Sequence, residues 1–157
     1  MAEEPKKSSN LKCCIGIIII FIIVTIGFMM LQDNPDHTVT LTLDGKHFTM
    51  NNLTNKEINN IEGNNTNTIK INNEDGYLIY MISKVSESTT LLNDVTPSDS
   101  VNEVKSNGIT YTNIKFSDGT PSTTVFKTSD GSVYEIVYYN GNDFLFDYQS
   151  FGDQMNK

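Results

Sequence analysis

Residues 13–31, CCIGIIIIFIIVTIGFMML, form a run of 19 positions without a charge, bounded by Lys12 and Asp33. An α-helix rises about 1.5 Å per residue and a bilayer's hydrocarbon core is about 30 Å thick, so about 20 apolar residues span it. Twelve of the 19 are Ile, Val, Phe or Leu; each favours insertion by roughly 0.3–0.6 kcal/mol near the helix centre, on the order of 5 kcal/mol together. The run predicts an uncleaved transmembrane helix. A cleaved secretory signal fits less well, because its apolar region is about 7–15 residues long and ends in small residues, whereas here Phe28, Met29, Met30 and Leu31 precede Gln32 and Asp33. A helix buried inside a soluble domain fits less well still, since a domain this small could not cover a cylinder that is apolar all round.

Charge placement orients the span. Lys6, Lys7 and Lys12 precede it, in a polar tail at 1–12 with too few apolar side chains to pack, while Asp33 and Asp36 follow it. Lysine and arginine gather on the cytoplasmic side, so the N-terminus is expected in the cytoplasm and the remainder outside the cell membrane. Cys13 and Cys14, the two cysteines of the chain, sit at the cytoplasmic edge. They read either as small apolar residues at a helix start or as acylation sites, and they leave the exterior part without an internal disulfide. Gly16 and Gly27 are 11 positions apart, which at 100° per residue places them about 20° from alignment on one helix face. Such a stripe is a candidate helix-packing surface for a weak homodimer.

Residues 32–38, QDNPDHT, form a linker in which Pro35 stops the helix. Residues 39–157 are of a size for one exterior domain. After the span, 17 Asp and Glu stand against eight Lys, a balance of −9. That acidity argues against nucleic acid and against an anionic lipid surface as partners. All 11 basic residues are Lys, so the bidentate guanidinium recognition of phosphate or carboxylate is absent. The 19 Asn show no fixed repeat period that would indicate a solenoid.

Alternation and turn chemistry predict an α+β domain, a mainly antiparallel sheet with one or two short helices on one face. A strand at 38–43 turns at Asp44-Gly45 into a strand at 46–50. Thr54-x-x-Glu57 has the capping-box form and opens a helix of about two turns containing Ile58 and Ile61, with Gly63 as its stop. Strands follow at 68–72 and at 77–85, the latter the most apolar stretch of the domain. After a polar loop ending at Pro97, Ser100-x-x-Glu103 predicts a second short helix ended near Asn107-Gly108. Strands at 109–116, 123–128 and 132–139 form a meander with turns at Asp118-Gly119, Asp130-Gly131 and Asn140-Gly141. The segment 144–151, FLFDYQSF, is either a last strand or a short helix packed on the sheet.

Gly45, Phe48 and Met50 form a G-x-x-F-x-hydrophobic opening, followed by a small helix and then by hairpins ending in an aromatic segment. This order resembles the exterior domains of uncharacterised single-span surface proteins of methanogenic archaea, whose fold is distantly similar to the PsbP type of α+β domain. Asn51 stands where that pattern often has Pro. The resemblance covers about residues 38–152 and brings no active site with it.

Candidate sites are few. His37 and His47 lack the further ligands that a zinc site needs, and no nucleophile elbow, calcium loop or phosphate loop is present. The sequence therefore assigns no catalytic, cofactor-binding or metal residues. Asn52-Leu53-Thr54 and Asn64-Asn65-Thr66 are sequons, so Asn52 and Asn64 are candidate glycosylation sites in an exterior domain. Tyr134 and Tyr138 alternate with Ile136 onto one strand face, a candidate aromatic contact surface for a sugar or a protein pocket. The expected function is a membrane-tethered exterior binding or structural module touching surface polymer, glycan or protein. An accessory subunit of a membrane complex is the alternative, and an exterior hydrolase ranks third.

Overall fold

The computed structural model describes residues 37–157. The expected tail at 1–12 and span at 13–31, with Cys13, Cys14, Gly16 and Gly27, lie outside the described residues, as does most of the linker. No helix among the described residues is long and apolar enough to cross a membrane.

The domain opens with the expected hairpin, β1 (His37–Leu43) and β2 (Lys46–Leu53), paired antiparallel around Asp44-Gly45. Both turn residues are left-handed, at φ 49° and 76°, as a two-residue type I′ turn requires. The capping box then forms as expected. Thr54 Oγ1 accepts from the Glu57 N–H at 3.1 Å and Glu57 Oε2 accepts from the Thr54 N–H at 2.9 Å, starting helix α1 (Asn55–Asn59).

The remaining strands make one antiparallel sheet. In chain order they are β3 (Ile61–Glu62), β4 (Thr68–Asn72), β5 (Leu78–Val85), β6 (Ser100–Ser106), β7 (Ile109–Lys115), β8 (Thr123–Lys127) and β9 (Val133–Tyr138). Their order across the sheet is β3-β4-β5-β9-β8-β7-β6. The chain leaves β5, crosses to the far edge, and meanders back until β9 closes against β5. All six residues of β9 are buried. Helix α2 (Tyr148–Met155) ends the domain, so the aromatic segment becomes a helix rather than a strand and begins later than 144.

Two expectations are corrected. Helix α1 is shorter than expected, and Ile61 belongs to β3. Ser100-x-x-Glu103 does not start a helix; these residues belong to β6, the outer strand. Asn107 and Gly108 are both left-handed, φ 50° and 81°, and join β6 to β7 with Ser106 opposite Ile109. A two-residue Asn-Gly turn between alternating segments is a stronger constraint than a four-residue capping pattern whose helix would have to end at that same turn.

The two sheet faces are covered differently. On one face the register aligns Ile69, Ile82, Ile136, Thr124 and Asn113, beside Tyr111, Phe126 and Tyr134. The hairpin and α2 close this face. Phe151 of α2 meets Phe48 at 4.8 Å, Phe126 and Tyr134 at 5.8 Å, and Phe146 at 5.9 Å between ring centroids. Gln154 accepts from the Thr49 N–H at 2.7 Å and donates to its carbonyl at 3.2 Å, tying α2 to β2. Lys46 donates to the Met155 carbonyl at 2.7 Å and pairs with Asp130 at 2.7 Å.

The opposite face carries Val125, Val133, Glu135 and Val137, all buried. Segment 86–99, with 3-10 turns at Glu87–Thr89 and Leu91–Asp94, is anchored there. The Leu91 N–H donates to Glu135 Oε1 at 2.7 Å, Thr90 is buried, and Lys127 pairs with Glu87. Burial pushes the Glu135 carboxyl up from its ordinary value; the Leu91 N–H opposes that and the Asp94 charge adds to it.

Two predictions follow from this packing. Gly152 of α2 lies against Tyr111, and a Cβ there would stand 2.1 Å from Tyr111 Oη and 2.7 Å from Cε1. Gly152→Ala gains about 1 kcal/mol of helix propensity but overpacks a closed core at about 1–3 kcal/mol. The urea midpoint should fall, and adding Tyr111→Phe, which removes the nearest atom, should recover part of the loss.

The second concerns Glu135. A carboxyl raised in the folded state binds its proton more tightly there than in the unfolded chain, so its contribution is fully present below the ordinary value and lost as pH rises through the folded one. Glu135→Gln keeps an oxygen for the Leu91 N–H and removes the buried charge. Its melting temperature should exceed wild type at pH 7–8, with the gain gone below about pH 4.5.

Candidate functional site

A cleft of about 320 Å³ opens where the end of β2, the first turn of α1, the start of β5 and the segment leading into α2 converge. Two irregularities in the strands build it. In β2, Asn51 and Asn52 together face Thr38, because the register steps from Val39–Met50 to His37–Leu53. Asn52 takes the left-handed conformation, φ 61°, as a residue in such a bulge often does. In β5, Ile79 is the extra residue between the Ile71–Tyr80 and Asn72–Leu78 pairs. Bulges re-aim side chains; both border this cleft.

Its floor is apolar, formed by Met50, Leu53, Ile79, Phe146 and Phe151, all buried. Tyr80 adds a half-buried ring, 5.5 Å from Phe146. Burial, with the nearby Glu57 charge second, pushes its hydroxyl up from the ordinary value, so at neutral pH it is an uncharged donor and acceptor. Leu145 stands at the mouth, 71% exposed.

The polar lining is held by local structure. Glu57 is the capping residue of α1 and spends Oε2 on the Thr54 N–H. Asp147 caps α2 through Oδ1, which accepts from the Ser150 N–H at 3.0 Å. Each carboxylate keeps a second oxygen. Asn51 Oδ1 accepts from the Thr38 hydroxyl at 2.9 Å, leaving its amide donors. Asn142 donates to the Tyr139 carbonyl at 2.7 Å, leaving its oxygen. Among the described residues, the lining holds two carboxylates and no Lys, Arg or His. The approach to α2 is strained as well: Phe144 lies at φ 58°, an outlier for a bulky residue that costs about 1–2 kcal/mol. Its ring packs on Tyr138 at 5.2 Å.

The residues singled out in the sequence are scattered. Asn52 is exposed and lines the cleft, where a glycan would stand in its mouth; its partner hydroxyl, Thr54, is already spent as the helix cap. Asn64 is exposed elsewhere, and its Oδ1 accepts from the Thr42 N–H at 2.7 Å. Tyr134 and Tyr138 are 0% and 1% exposed. They pack in the core instead of offering a contact face, because the hairpin and α2 cover that side of the sheet. His37 and His47 stand at opposite ends of the hairpin, paired in register with Leu53 and Thr42. Among the described residues no group of three or more His, Cys, Asp or Glu is placed to hold a metal ion.

A second groove, about 510 Å³, lies between the β6–β7 and β8–β9 turns. It has no aromatic ring, and its Lys127 is already paired with Glu87. The residues of the first cleft went unnoticed in the sequence because Glu57 reads only as a cap, and nothing local connects it to Tyr80, Asn142 or Asp147. The local signal was Asn51-Asn52, two residues tolerant of left-handed backbone at a strand end.

The bulge makes a prediction. Asn52→Gly should leave the urea midpoint nearly unchanged, since glycine adopts positive φ freely, whereas Asn52→Val should lower stability by about 1–2 kcal/mol.

No protein-family model matches the chain, and comparison with curated proteins and with solved structures gives no match. What the domain does rests on the chemistry of its own side chains.

Proposed function

We propose that the chain is a membrane-tethered binding module of the cell surface, whose exterior domain takes its ligand in the cleft between β2, α1, β5 and α2. The observation that carries this reading is the cleft itself: an apolar, aromatic floor with a few convergent polar groups, the usual make-up of a ligand site. The tether is residues 13–31, and the lysines before it face the cytoplasm. Binding is the role assigned because each carboxylate in the cleft is fixed in place as a helix cap with one oxygen left for a ligand.

The test uses the full-length protein in intact cells. External protease should remove the domain, and crosslinking should recover an envelope component with the wild type. Ser150→Trp, at an exposed helix position lining the cleft, should reduce that recovery at least tenfold at an unchanged melting temperature. A protease-protected domain overturns the topology. Equal recovery from wild type and Ser150→Trp overturns the binding site and favours an accessory subunit held through the span by the Gly16 and Gly27 face.

A further inference from the structure

Resting on the reading of the cleft as a ligand site, we infer that its ligand is an uncharged saccharide unit. The inference comes from matching the cleft's vacant donors and acceptors, its charge and its floor against the main ligand classes.

Charge removes one class. Among the described residues, Glu57 and Asp147 line the cleft and no cationic side chain does. A phosphate, sulfate or uronate would enter against two negative charges with no Lys or Arg to meet it. A purely apolar ligand is disfavoured for the opposite reason, since it would strip water from two carboxylates and the amides of Asn51 and Asn142 and give nothing in return.

Hydrogen-bond capacity separates the two remaining classes, a cationic ammonium ligand and a neutral polyhydroxyl one. The Thr38 hydroxyl holds Asn51 Oδ1, so Asn51 presents donors. The Tyr139 carbonyl takes one Asn142 N–H, so Asn142 presents its oxygen and a second N–H. Glu57 and Asp147 each present a remaining carboxylate oxygen. A ligand satisfying this set must donate to Glu57 and Asp147 and accept from Asn51, with Asn142 able to serve either way. An ammonium group only donates, whereas a hydroxyl does both. A sugar carries hydroxyls around its edge and C–H groups on its faces, which suits a polar wall above a floor of Ile79, Phe146 and the Tyr80 ring. The volume, about 320 Å³, is at the small end of ligand pockets, room for about one or two sugar rings.

The experiment is calorimetric titration of the full-length protein in detergent with three probes: neutral hexose oligosaccharides, uronate oligosaccharides of the same length, and a tri-lysine peptide. A neutral oligosaccharide should bind, Ser150→Trp should abolish binding, and Asn142→Ala should weaken it about tenfold, the loss of one good hydrogen bond. The double variant Glu57→Gln with Asp147→Asn keeps both caps, since Gln and Asn serve at those positions. It should admit the uronate that wild type rejects. Tighter cleft-dependent binding of the uronate or the peptide, or no binding of any probe, overturns the inference. The reading of the cleft as a ligand site fails separately, when Ser150→Trp leaves recovery of the envelope component unchanged, and the tether fails when external protease spares the domain.

Discussion

The aromatic ring of Phe151 is the contact on which the arrangement of this domain depends. It touches Phe48 of the hairpin, Phe126 and Tyr134 of the sheet, and Phe146 of the segment before α2. Each such pair contributes about 0.5–1.5 kcal/mol beyond the area it buries. More important is that the four partners come from three separate parts of the fold. A two-stranded hairpin is marginal alone, and an eight-residue helix is shorter than isolated helices need to be. The shared ring holds each against the other, together with the Gln154–Thr49 and Lys46–Met155 hydrogen bonds. Phe151 also lines the cleft, so the same side chain that assembles the core sets the depth of the site.

A polar thread runs beside this apolar one. Thr124 donates to Asn113 Oδ1 at 2.6 Å and bonds the Tyr138 hydroxyl at 2.9 Å; Asn113 in turn donates to the Tyr148 hydroxyl at 3.1 Å. Thr124 and Tyr138 are buried, and a satisfied buried network demands one arrangement of its members where apolar contacts would tolerate several. It crosses from β9 through β8 and β7 to α2. Helix position is therefore specified twice, once by ring packing and once by hydrogen-bond geometry.

Local chemistry made much of this readable from the residues. Asp44-Gly45 marks a true two-residue hairpin, and Thr54 with Glu57 marks a true helix start, because each interaction closes within four residues; Asn107-Gly108, read as the stop of a helix, is a hairpin turn of the same kind. Apart from the capping pattern at Ser100, which lies in a strand, what failed were inferences needing knowledge of what lies opposite. Tyr134 and Tyr138 do share a strand face, but whether that face is open depends on α2 and the hairpin, which come from opposite ends of the domain. Segment 86–99 reads as polar loop, yet it covers the second sheet face with Thr90 and a backbone N–H aimed at Glu135. No periodicity announces cover of that kind. Gly152 of α2 is a poor helix former, and its missing side chain is what lets Tyr111 approach.

The cleft was the least legible feature, and the reason is physical. Its polar groups are ordinary capping and bulge residues, each with a local task that explains its presence without any site. Only where β2 bulges at Asn52, β5 bulges at Ile79 and the chain turns through Phe144 at positive φ do those groups converge. Strain of about 1–2 kcal/mol at Phe144 is held by its packing on Tyr138, which belongs to the most buried strand. The rigid centre of the sheet thus supports the irregular backbone that opens the cleft. A regular β2 and β5 joined to an unstrained α2 would close the same residues into a continuous core edge. The irregularities, more than the identity of any single lining residue, are what give this domain a place to bind.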